Sequence, residues 1–91
     1  MVIIGMMSYP PESAEELSSR FLASPPMPAF IKMKGPYLNS EVGVGIKTII
    51  LYEFEKSKIR EAYEVVLDRY AKFIGVPGFT FSVQLWLEMS D

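Results

Sequence analysis

Ile46-Lys47-Thr48-Ile49-Ile50-Leu51-Tyr52-Glu53-Phe54 is the stretch on which the fold turns. β-Branched and aromatic side chains dominate it, and these suit a pleated strand better than a helix. Its apolar groups fall on both sides, Ile46, Ile50 and Phe54 on one and Ile49 and Leu51 on the other. A strand apolar on both faces belongs in the middle of a sheet rather than at its edge.

Immediately before it, Val42-Gly43-Val44-Gly45 supplies residues able to take positive φ, so a turn precedes the strand. The bare Gly43-Val44-Gly45 is not a dinucleotide fingerprint, because that motif needs a helix after it and here a strand follows. Further back, Lys32 to Glu41 reads as an irregular edge strand, since the internal Pro36 is tolerated only at an edge or a bulge. The two strands make a hairpin, with the register of residues 27–42 left open. On the other side, Glu55 to Ile74 carries Ile59, Ala62, Tyr63, Val66, Tyr70 and Phe73 at helical spacing. Gly75 closes that helix, and Val76-Pro77-Gly78-Phe79 suits a type II turn.

The ends of the chain complete the order. Val2 to Met7 is a short apolar run with the character of a buried strand. Pro10-Pro11 breaks it, and Ser13-Ala14-Glu15-Glu16 matches a capping box ahead of a short helix bearing Ala14, Leu17, Phe21 and Leu22. Ser24-Pro25-Pro26 stops that helix. Phe79 to Glu88 alternates with period two: Phe79, Phe81, Val83, Leu85 and Leu87 share one face, and Thr80, Ser82, Gln84, Trp86 and Glu88 the other. The order strand, helix, strand, strand, helix, strand predicts one α+β domain over residues 1–91. It is a ferredoxin-like βαββαβ chain with a four-stranded antiparallel sheet and two helices on one face.

Composition narrows the chemistry. The chain has 91 residues, 49% hydrophobic and 22% charged, which is globular composition. It contains no Cys and no His, which removes disulfides, thiolate and imidazole catalysis, zinc sites of the Cys/His type and the usual haem ligands. No cofactor and no metal are expected. Nine basic residues against eleven acidic ones give a net charge of −2 without a basic run, so no nucleic-acid partner is expected. No stretch approaches the ~20 apolar residues of a membrane span, and Val2 to Met7 lacks the basic flank of a signal peptide. A cytoplasmic location is expected.

Two helices cover one sheet face only. Exposing several large apolar side chains on the other would forgo ~1.5–3 kcal/mol each. A second, identical chain is therefore expected against that face, as a homodimer. Six residues are candidates for a ligand site there. Lys47 and Glu53 share a strand face at ~20 Å separation, too far to pair with each other. Either would fix a polar ligand, Lys47 as a base if buried, or both stand in water at the strand ends. Gln84 and Trp86, with Ser82 and Thr80, form either a pocket wall or a dimer contact with Trp86 as anchor. Tyr37 and Asn39 share a face of the irregular strand and either orient a carbonyl or enolate or serve the edge and its turn.

The element order, the size and the two-sided central strands make the chain resemble the dimeric α+β barrel group, in which two ferredoxin-like chains pack sheet to sheet. The runs Gly35-Pro36-Tyr37, Gly45-Ile46-Lys47, Tyr52-Glu53-Phe54 and Val76-Pro77-Gly78-Phe79 add to the likeness. The group includes cofactor-free monooxygenases of antibiotic biosynthesis, muconolactone isomerase, EthD-like proteins and stress-responsive barrel proteins. Its histidine-dependent activities have no counterpart here. The resemblance implies a homodimer that binds a small apolar or aromatic molecule between its sheets. The alternatives are a cofactor-independent monooxygenase or isomerase, and a structural dimer without a ligand.

Overall fold

A computed structural model describes residues 1–91. Strand β1 spans Val2–Tyr9, helix α1 Ala14–Leu22, strand β2 Lys32–Glu41, strand β3 Gly45–Glu53, helix α2 Ile59–Ala71 and strand β4 Thr80–Trp86. The sheet is antiparallel in the order β2-β3-β1-β4, so β1 and β3 are central. The element order and strand order fit a ferredoxin-like arrangement. Both helices lie on one side, and the molecule is a slab only 17 Å thick along its shortest axis.

The helix-side core is built around a close approach at β1. Tyr70 of α2 is 1% exposed and lies over Gly5, where any added Cβ would fall on its ring and hydroxyl. Glycine is needed here for want of space, not for its backbone freedom. The Tyr52 hydroxyl, rising from β3, donates to the Tyr70 hydroxyl across 3.4 Å. Burial raises the pKa of both phenols, so they stay protonated and act as neutral hydrogen-bonding groups. Tyr70 stacks on Phe81 at 5.7 Å between ring centres and meets Phe73 edge-on at 6.0 Å, so β4 and the end of α2 join the same cluster.

β1 runs two residues past Met7, because Ser8 and Tyr9 still pair with β3 at Lys47 and Ile46. Ser13 does not cap α1: a 3-10 turn over Pro11–Ser13 leads straight into the helix, so Ser13 is already helical. Its hydroxyl instead donates to the carbonyl of Pro77 at 2.6 Å, fastening α1 to the turn after α2. That turn is held by the Phe79 N–H on the Val76 carbonyl at 3.1 Å, with Gly78 at φ +75°. α2 is shorter than its apolar stripe, beginning with a 3-10 turn at Lys56–Lys58 and ending at Ala71. Leu22 does not join the core and is 83% exposed.

The register of β2 is now defined. Lys32, Met33 and Lys34 pair with Glu53, Tyr52 and Leu51; after a slip around Gly35-Pro36, Tyr37 to Glu41 pair with Ile49 to Gly45. The irregularity sits where proline has no N–H to donate.

Gly5→Ala is expected to lower the unfolding free energy by about 1–3 kcal/mol, the usual range for overpacking a filled core. Urea denaturation checks this, and a variant as stable as the parent would mean that Tyr70 moves aside without cost.

Candidate functional site

The uncovered sheet face is made of four cross-strand rows set by the registers. In strand order β2, β3, β1, β4, the first is Asn39, Lys47, Ser8 and Thr80, and the second Tyr37, Ile49, Met6 and Ser82. The third is Lys34, Leu51, Ile4 and Gln84, and the fourth Lys32, Glu53, Val2 and Trp86. All six residues nominated from the sequence, Tyr37, Asn39, Lys47, Glu53, Gln84 and Trp86, stand on this face. Its middle is apolar, from Ile49, Leu51, Met6, Ile4 and Val2, and its border is polar. Met6, Tyr37 and Trp86 are 41%, 55% and 51% exposed.

The face does not gather all six into one place. A hollow of about 390 Å³ is lined by Met6, Tyr37, Asn39, Lys47 and Ile49, with Leu38 and Thr48 at its floor. A neighbouring hollow of about 360 Å³ shares Met6 and Lys47 and continues to Ser8, Glu41, Thr80 and Ser82. Gln84 and Trp86 lie on the opposite edge strand, three strand spacings or roughly 14 Å across the sheet from β2, and one to three rows further along it than Tyr37 and Asn39. Glu53 is at the far end of β3.

Charges on the face, Lys32 apart, are paired within the chain. The Lys34 ammonium lies 2.6 Å from the Glu53 carboxylate, and the Lys47 ammonium 3.9 Å from Glu41. The hydrogen bond from Lys34 holds the Glu53 carboxyl below the usual carboxylate range and raises the Lys34 pKa in return. In the single chain the Lys47 side chain is 38% exposed. The Ser8 and Thr80 hydroxyls share a hydrogen bond of 2.7 Å across the first row. No group of three or more His, Cys, Asp or Glu is assembled where a metal could be held. No helix is long and apolar enough to cross a membrane.

A second concavity, on the helix side, escaped the sequence reading. About 250 Å³ lies between α1 and the β1-β3-β2 part of the sheet, lined by Met7, Tyr9, Leu17, Phe21, Leu38 and Thr48 among others. The signal for it was Thr48, a hydroxyl at a helix-side position between Ile46 and Ile50.

No protein-family model matches the chain, and no curated protein matches it in sequence. The likeness to the dimeric α+β barrel group therefore rests on layout.

The Lys34–Glu53 pair sets a pH dependence. A lowered carboxyl pKa contributes stability above the ordinary Glu value and loses it as pH falls through the folded value. A raised ammonium pKa contributes below the ordinary Lys value and loses it as pH rises through the folded one. The pair is thus intact across the neutral range, and being exposed it is weak and screened by salt. A carboxyl-carbon NMR titration should show Glu53 titrating at higher pH in Lys34→Ala than in the parent, and unmoved in Lys47→Ala.

Proposed function

We propose that the protein works as a homodimer joined through the uncovered sheet faces, and that it binds a small apolar or aromatic molecule in the hollows left between them. The observation that carries this reading is the apolar centre and polar border of a face that no part of the chain covers. Core-and-rim layout of this kind is the anatomy of protein interfaces. Pro25, Pro26 and Pro28 do not cover it. They lie against Val65, Asp68 and Arg69 of α2, with the Arg69 guanidinium donating to the Pro25 carbonyl at 3.2 Å.

Three further properties support the pairing. The accessible surface is 5855 Å², against about 5,400 Å² for a monomer of this size. The radius of gyration is 13.5 Å, against about 12 Å for a compact domain of this length. A two-fold axis brings each patch against its own copy, so a face of one charge would repel itself. Here four of the five charged side chains on the rows and the adjacent β2 end are already neutralised in pairs, and only Lys32 is left over.

Tyr37, Asn39 and Lys47 supply the polar groups of one hollow, and Met6 and Ile49 its apolar wall, the mixture typical of a small-molecule site. A second reading, a cofactor-independent monooxygenase or isomerase, uses the same hollow, with the Tyr37 hydroxyl and the Asn39 amide orienting a carbonyl or enolate.

Sedimentation velocity at micromolar concentration is expected to show a dimer, and Met6→Glu, which places a carboxylate at the centre of the face, a folded monomer. A monomeric parent chain would remove the reading. A thermal-shift screen of aromatic acids and quinones should raise the melting temperature of the parent and less that of Lys47→Ala or Asn39→Ala. A ligand at a hundredfold excess over its Kd stabilises by about 2.7 kcal/mol. Dioxygen consumption or isomerisation of a hit, lost in Asn39→Ala, separates the enzyme from the binding protein.

A further inference from the structure

The geometry points to a second ligand site, under α1 on the helix side of the sheet, for a small neutral molecule of one or two rings bearing a single hydroxyl or carbonyl oxygen. It faces away from the surface proposed for pairing and stands whether or not that surface pairs.

Thr48 carries the argument. It is 3% exposed, and its Oγ1 has no hydrogen-bond partner in the chain. Its place in the register, opposite Met7, puts its side chain on the helix side, where it lines the concavity of about 250 Å³. A buried hydroxyl left without a partner is costly, and folded chains seldom keep one without a use for it. The hydroxyls of Ser13 and Tyr52, also on this side, are committed, Ser13 to the Pro77 carbonyl and Tyr52 to Tyr70. Two buried side-chain polar atoms are without a partner, Thr48 Oγ1 and Arg69 Nε, and of these only Thr48 belongs to a residue lining the concavity.

The lining selects the chemistry. No side chain around the concavity is charged, so an ion would enter without a counter-charge. Met7, Leu17 and Leu38 offer aliphatic walls, and Tyr9 and Phe21 offer rings for stacking. A volume just below the usual range of ligand pockets suits a molecule of one or two rings. Leu22 and Leu38, 83% and 68% exposed, stand at the rim as apolar surface that a bound molecule would shield from water. Thr48 is then the group that reads the ligand's oxygen, donating to a carbonyl or exchanging a hydrogen bond with a hydroxyl.

The probes are 2-naphthol, naphthalene and 2-naphthoate, titrated into the full chain and followed by amide NMR and calorimetry. 2-Naphthol is expected to shift the resonances of Met7, Leu17, Phe21 and Thr48 and to bind about five- to tenfold more tightly than naphthalene, the worth of one hydrogen bond. 2-Naphthoate is expected to bind weakest. Thr48→Val keeps the shape and removes the orphan hydroxyl, so it should fold at least as well and bind 2-naphthol and naphthalene alike. Ser18→Trp, on the exposed side of α1 at the rim, should weaken all three probes. Equal binding of 2-naphthol and naphthalene by the parent, a preference that survives in Thr48→Val, shifts confined to the uncovered face, or no binding at all would each overturn the assignment.

Discussion

The placement of Tyr70 over Gly5 organises this molecule. A side chain on β1 at that point would hold α2 away from the sheet; its absence lets the phenol ring lie against the backbone, with its hydroxyl on that of Tyr52. From there the aromatic cluster spreads through Phe81, Phe79 and Phe73 to Phe21 on α1. One contact therefore sets how close the helix layer sits, and the layer holds the rest in position. With both helices drawn to that side, nothing in the chain remains to cover the other.

α1 is tied down by polar contacts as much as by its apolar face. Arg20 donates to the carbonyls of Lys72 and Ile74 at 3.1 and 3.2 Å, a cation at the open C-terminal end of α2, and bonds to Glu16 on its own helix. Ser13 holds the other end through Pro77. These ties anchor α1 toward α2 and leave it standing off from β2. The concavity beside Thr48 lies in that gap. A site in such a place is shaped by the distance between elements, and its polarity by the one residue at its floor.

The two sheet faces differ in how they meet charge. On the helix side the polar groups are hydroxyls, and Tyr52 and Tyr70 are kept neutral by burial. On the uncovered side the lysines and glutamates keep their charge, paired across β2 and β3 and bordering an apolar middle. The proposed dimer would bury that middle and leave the pairs at the border, where they keep contact with water. The same arrangement would leave Tyr37, Asn39 and Lys47 beside a hollow closed from above by the second copy.

The sequence by itself determined the elements, their order and which residues of β3 and of β4 share a face, because period-two and period-3.6 patterns are local and strong here. The two-sided apolar character of β3 was enough to place it centrally, and alternation in Thr80–Trp86 was enough to put Gln84 and Trp86 on one face of β4; the registers through β1 align that face with Lys47 and Glu53. Only the tertiary structure decided which of these residues meet. The pairings Lys34 with Glu53 and Lys47 with Glu41 depend on the β2 register, which a slip at Gly35-Pro36 shifts and which no local pattern encodes. The fate of Ser13 depends on where the Pro77 turn comes to rest. Thr48 stands in the sequence as one hydroxyl in an apolar row; that it is left without a partner beside an open volume follows from how far α1 sits from β2, a distance between elements remote along the chain.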